Sequence, residues 1–188
     1  MKEIQVSIKG TSPLLMHRFP MDGADEPSKK RTGVPVWSEE GEKALYKDEK
    51  GTIYQPASHI EACLAQAAKQ FKITGKRGAS YFKLVGSTIE VLPDVIPHKL
   101  TKYVIDARPV VIQKARVVRY RPKFDEWELD FTLRLMDDQL QVKTIKEILD
   151  YAGLYCGLGD FRPQRGGKFG KFTVIEFKEL KERKRGAR

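Results

Sequence analysis

Three histidines and one run of glycines and arginines carry most of the chemistry that this sequence could offer. His17, His59 and His98 are the side chains able to exchange a proton near neutral pH. None stands at a metal-ligand spacing from Cys, Asp or Glu, and no GxxxxGKS, GxSxG or HExxH stretch occurs. His17 directly follows the first apolar-alternating stretch and is the one weak candidate for an acid or base. His59 falls just inside an expected helix start and reads as a surface or packing residue, and His98 follows Pro97 in an expected loop. An acid–base role would need one of them beside a bound phosphate. The expectation is therefore binding without chemistry, with no metal and no cofactor.

The stretch GLGDFRPQRGGKFGKF, Gly157 to Phe172, threads Gly157, Gly159, Gly166, Gly167 and Gly170 with Arg162, Arg165, Lys168 and Lys171, and has no acid after Asp160. Glycine allows unusual dihedrals and close backbone approach. Backbone N–H groups and arginines there are expected to meet phosphates, with Phe161 or Phe169 packing or stacking on a base. The plainer alternative is that Phe169 and Phe172 anchor a strand and the arginines are solvated. Two further basic sets are candidates. Lys72, Lys76 and Arg77, with Lys69 and Lys83 nearby and Tyr81 as a possible stacking ring, surround the end of the first expected helix. Lys114, Arg116, Arg119 and Arg121 fall on a later expected strand, with Lys123 at its turn. Lys114 and Arg116 share one strand face and Arg119 and Arg121 the other, so one flat platform cannot use all four. Asp125, Glu126 and Glu128 are alternative partners for these arginines.

A formal net charge of +10 over 188 residues suggests a polyanionic partner. No helix-turn-helix, zinc-finger or basic-zipper pattern is present, so single-stranded RNA or DNA is the expected partner, with self-association along the strand or other subunits of a complex beside it. The alternative is an assembly protein whose basic surface meets acidic protein. Cys63 and Cys156 each sit in an apolar, helix-like pattern and read as buried small hydrophobes of a reducing compartment. No run of about 18 apolar residues occurs, which points to a cytoplasmic protein without a membrane partner.

The elements that must position these groups follow from periodicity. Glu3 to Lys9 alternates as a half-buried strand. From His17 to about residue 52 the chain is charged and aperiodic, an expected insertion. Ile60, Cys63, Leu64, Ala67, Ala68 and Phe71 form a helical stripe, with Ser58 and Glu61 spaced as a capping box and the helix ending near Lys72. Residues 75 to 108 read as largely irregular, with a short strand at Gly86 to Leu92. A hairpin follows, Val110 to Tyr120 and Glu126 to Leu135 about a turn at Pro122 to Asp125. A second helix is expected from Leu140 to Tyr155, and a last strand from Phe169 to Lys178. This is one α+β domain, residues 1–178, of ferredoxin-like or RRM-like βαββαβ plan with an antiparallel sheet, followed by a basic tail at 179–188.

On that plan GTSPLLMH at Gly10 to His17, IYQPASHIEACL at Ile53 to Leu64 and the glycine-rich loop stand in order. Together they resemble the RAMP superfamily, the ferredoxin-like proteins of CRISPR effector complexes, and compact RAMP-like proteins of phages and prophages. The resemblance is closest at Gly157-Leu158-Gly159 and Phe169-Gly170-Lys171-Phe172. It implies a backbone-like subunit or phage single-strand-binding protein that coats RNA or single-stranded DNA, with residues 17–52 as a thumb reaching a neighbouring copy. It also implies an alternative, metal-independent RNA cleavage with a histidine as base. Ala57-Ser58 departs from the Gly-Ser of many relatives, and Asp160 to Arg165 is an insertion in the loop.

Overall fold

The first strand, β1 (Lys2–Gly10), lies at the centre of the molecule's main sheet because its alternation gives it one face to bury: Ile4, Val6 and Ile8 are fully inaccessible. The computed structural model describes residues 1–19, 41–112 and 114–180. The main sheet is four-stranded and antiparallel, in the order β4 (Ile89–Leu92), β8 (Glu128–Leu135), β1, β9 (Phe172–Leu180). Helix α1 (Ala57–Ala67) comes between β1 and β4 in sequence, and α3 (Val142–Tyr151) between β8 and β9. Their buried stripes, Ile60, Cys63, Leu64 and Ala67 on α1 and Ile145, Ile148 and Leu149 on α3, join the sheet's apolar face in one core. Each such side chain contributes about 1.5–3 kcal/mol by leaving water.

The opposite face of the sheet carries charge pairs set by strand register. Arg134 on β8 stands across from Glu3 on β1 and Glu90 on β4 and bonds both, at 3.0 and 2.7 Å. Lys9 likewise faces its cross-strand partner Glu128 at 3.2 Å. Two smaller sheets flank this one: β2 (Leu14–Leu15), β7 (Ala115–Phe124) and β6 (Val104–Ile112) in the order β2-β7-β6, and β3 (Tyr54–Pro56) with β5 (Val95–Pro97).

Several expectations need correction. The hairpin is β6 with β7, paired from Val104↔Lys123 to Ile112↔Ala115, so its turn lies between Ile112 and Ala115, where Lys114 adopts φ 68°. Pro122 to Phe124 continues β7 instead of turning, because β2 pairs there through Leu14↔Phe124 and Leu15↔Lys123. β8 belongs to the main sheet, where Trp127, Leu129, Phe131, Leu133 and Leu135 are all buried. Residues 75–108 hold more structure than expected, including helix α2 (Phe82–Thr88), so that only Ile89–Leu92 of the expected strand is extended.

The capping box is not formed. Helix α1 starts one residue early, with Pro56 as its N-cap and no side-chain cap, and the Glu61 carboxylate instead accepts the Val91 N–H of β4 at 3.0 Å. The helix gives way after Ala67 to a short 3-10 turn, Ala68–Gln70. Helix α3 widens into a π-type turn, Ala152–Cys156, stopped by Gly157 at φ 71°. β9 starts three residues later than expected, at Phe172, and runs into the expected tail as far as Leu180. Ala44 and Leu45, inside the expected insertion, are buried core residues. Residues 20–40 of that insertion and the basic tail from 181 lie outside the described residues, and with them the greater part of the thumb expected over 17–52.

Candidate functional site

The segment after β1 is tied to the glycine-rich loop by backbone bonds between residues far apart in sequence. The Thr11 N–H donates to Lys171 O, Gly170 N–H to Pro13 O, Asp160 N–H to Leu15 O, and Lys171 N–H to the Ser12 hydroxyl, all at 2.8–2.9 Å. Trp127 locks the turn from below, its indole N–H donating to Ser12 O at 2.9 Å while the ring lies where a Cβ on Gly10 would be. Gly159, at φ +72°, passes against the Leu15 carbonyl so closely that any side chain would collide with it.

This stitching engages most of the loop's own donors. The amides of Gly157, Leu158, Asp160, Phe161, Arg165, Gly166, Gly167, Phe169, Gly170 and Lys171 all bond to acceptors within the protein. The loop therefore presents side chains, and not a cradle of these amides, to a ligand. Arg162 and Arg165 bracket a short 3-10 turn, Pro163–Arg165. The Arg162 Nη1 donates to Gly159 O at 2.8 Å and its Nε to the Gln164 side chain at 3.1 Å, which holds the guanidinium in one place.

Between the loop, the segment after β2 and one side of α1 lies a cleft of about 420 Å³. Arg162, Gln164 and Arg165 line it from the loop, His17 from the segment after β2, Tyr46 from the chain before β3, and Gln55, His59 and Gln66 from β3 and α1. The His17 Nδ1 is 3.7 Å from the Asp160 carboxylate. That carboxylate also meets Arg121, whose Nε is 2.6 Å away in an ion pair too bent to be a hydrogen bond. Arg121 is buried, and the pair compensates a charge that burial alone would make costly.

His59 belongs to this site and not only to packing. Its Nδ1 lies 2.5 Å from the Gln55 side-chain amide, a contact that fixes the ring's orientation. Burial first, and the Arg162 charge second, hold its pKa below the ordinary histidine value. Tyr46 meets it edge to face, ring centres 5.3 Å apart. Beneath them the Cys63 thiol, which lines the cleft, donates to Gly157 O at 3.3 Å; a hydrogen bond with the free thiol of Cys156 and burial push its pKa well up. His98 is elsewhere, stacked on Phe124 and buried, and burial pushes it down to about 4.

The other basic candidates do not line the cleft. Lys72, Lys76 and Arg77 are exposed beyond the far end of α1, and Tyr81 there is half-buried against the core. Lys114 and Arg116 are exposed at the tip of the β6–β7 hairpin, Arg119 is half-buried on β7, and Lys168 is exposed on the loop. The two candidate stacking rings of the loop face arginines of that hairpin: Arg121 lies over Phe161 at 5.4 Å and Arg108 over Phe169 at 4.6 Å. Sequence reasoning misses Tyr46, Gln55, Gln66 and Gln164. The available signal for Gln66 was the series His59, Ala62 and Gln66, which runs at helical spacing beside the apolar stripe.

No protein-family model matches the chain, and no curated protein matches it. Among solved structures it is similar to a chain of a Type III-B Cmr-beta complex bound to cognate target RNA, at 12% identity and a TM-score of 0.63. The similarity covers 96% of this chain and 61% of that one. The two share a fold, an α+β arrangement with antiparallel sheets. Among the described residues no helix is long and apolar enough to cross a membrane, and no three His, Cys, Asp or Glu side chains gather as a metal site would require.

Proposed function

We propose that this protein is a RAMP-like, ferredoxin-fold protein that holds single-stranded RNA in the cleft beside its glycine-rich loop, without cleaving it. The observation that carries this reading is the meeting of Arg162 and Arg165 with His17, His59 and Gln55 in one open cleft, on a chain of net charge +10. The strand order β4-β8-β1-β9, with α1 and α3 as crossovers, fits a ferredoxin-like plan in which the second and fourth strands take the edges. RNA is favoured over DNA because the similar chain comes from a complex bound to target RNA. The exposed Lys114 and Arg116 extend the basic surface along the hairpin.

Fluorescence anisotropy with labelled single-stranded RNA, single-stranded DNA and duplex at several salt concentrations tests it. The expected result is salt-sensitive binding that prefers single-stranded RNA. Arg165→Ala, which removes an exposed side chain, is expected to weaken binding for all sequences and to flatten the log–log salt slope by about 0.7. Binding of none of the three nucleic acids would give way to a basic surface that meets acidic protein.

A second reading rests on one contact, His17 beside Asp160 within the arginine-lined cleft. There a histidine could serve as base toward a ribose 2′-OH in metal-independent cleavage. Gel analysis of the same samples distinguishes the two: cleavage that disappears in His17→Ala while binding persists would replace the first reading with the second.

A further inference from the structure

We infer that the cleft is a subsite for a single unstacked nucleotide, with the phosphate at Arg162 and Arg165 and the base against Tyr46 and His59. This rests on the nucleic-acid reading above and goes further in assigning one occupant. The cavity, about 420 Å³, lies within the range of small-molecule sites and is too small for a stacked run of bases. Its chemistry is divided. The turn Pro163–Arg165 contributes the cationic end, with Arg162 fixed by Gly159 O and Gln164. The side formed by α1 and the chain before β3 offers two aromatic rings at fixed mutual geometry, Tyr46 and His59, and the amide of Gln66, whose donors and acceptor suit the edge of a base.

His59 is suited to this role in its neutral form. The Gln55 contact orients the ring and burial disfavours its charged form, so the wall keeps an uncharged aromatic face at the pH where the arginines hold phosphate. Ala62 lines the cleft as a small, exposed residue of α1, so the helix adds no bulk at that point of the wall.

The test compares ligands that share a phosphate and differ in the base. Nucleoside 5′-monophosphates, ribose 5-phosphate and inorganic phosphate are titrated calorimetrically into the protein. A short oligoribonucleotide is then compared with an abasic ribose-phosphate oligomer of the same length. The expected result is about tenfold or greater preference for a ligand with a base over its base-free counterpart. Ala62→Trp, which adds bulk to the wall from an exposed helix position, is expected to abolish that preference while salt-sensitive binding of the abasic oligomer persists.

Preference for the mononucleotide but not for the base-containing oligomer would assign the same subsite to a free nucleotide. Equal affinity for ligands with and without a base, in the wild type, would overturn the subsite and leave strand binding intact. Base preference with no binding of any oligomer would retain the subsite and overturn the strand-binding reading.

Discussion

At the scale of single residues, the site depends on charge compensation and on backbone room. Asp160 joins Arg121, His17 and its neighbour's amide, so Asp160→Ala leaves the buried Arg121 cation without its partner carboxylate. Removing one partner of a fully buried pair costs about 3–5 kcal/mol, and partial exposure of Asp160 brings the expected loss to about 2 kcal/mol in urea denaturation. Gly159→Ala is expected to cost at least as much, about 2 kcal/mol or more, since it combines a positive φ with a collision against Leu15 O. His98 gives a pH-dependence of definite sign. Its folded pKa of about 4 is below the unfolded value near 6.5, so the unfolded chain binds the extra proton between those limits. Its contribution is complete above pH 6.5 and is lost as pH falls toward 4, by about 3 kcal/mol. The difference in unfolding free energy between wild type and His98→Phe should therefore change across that window; a constant difference would refute the assignment.

At the scale of elements, Trp127 shows how a strand residue governs a turn. Its indole both fills core and supports the Gly10 to Pro13 bend, and Trp127→Phe removes the bond to Ser12 O together with core volume. A loss of about 2–3 kcal/mol is expected by thermal or urea denaturation, with weaker RNA binding at temperatures where the folded state is still fully populated. β1 and β8 are legible in the sequence because each buries one face, which leaves a strict two-residue alternation. The stripes of α1 and α3 are legible for the same reason at helical period. The β6–β7 turn is not, because Lys114 takes its positive φ without being the glycine or asparagine that usually marks a tight hairpin, and Pro122 imitates a turn. Nor is the capping box diagnostic: Ser58 and Glu61 have the right spacing, yet Glu61 bonds to β4, a tertiary partner that local pattern does not reveal. Among site residues, the loop arginines announce themselves by composition. Tyr46 and Gln55 reach the cleft only through long-range folding, so no local pattern points to them.

At the scale of the whole molecule, an excess of ten positive charges governs any encounter with nucleic acid. Affinity is expected to fall linearly with salt on logarithmic axes, and the slope counts the phosphates engaged. A slope unchanged by Arg165→Ala would place the contacts on the β6–β7 hairpin or beyond α1. The seam between the first strand's turn and the glycine-rich loop also bears on how the protein is made. Ser12 and Lys171 bond across 159 positions of sequence, and β1 sits between β8 and β9, both far downstream of it in the chain. During synthesis on the ribosome, β1 therefore emerges long before either flanking strand and waits with both edges unpaired. The cleft cannot be complete until the glycine-rich loop, which supplies Arg162 and Arg165, has been made and joined to the turn after β1.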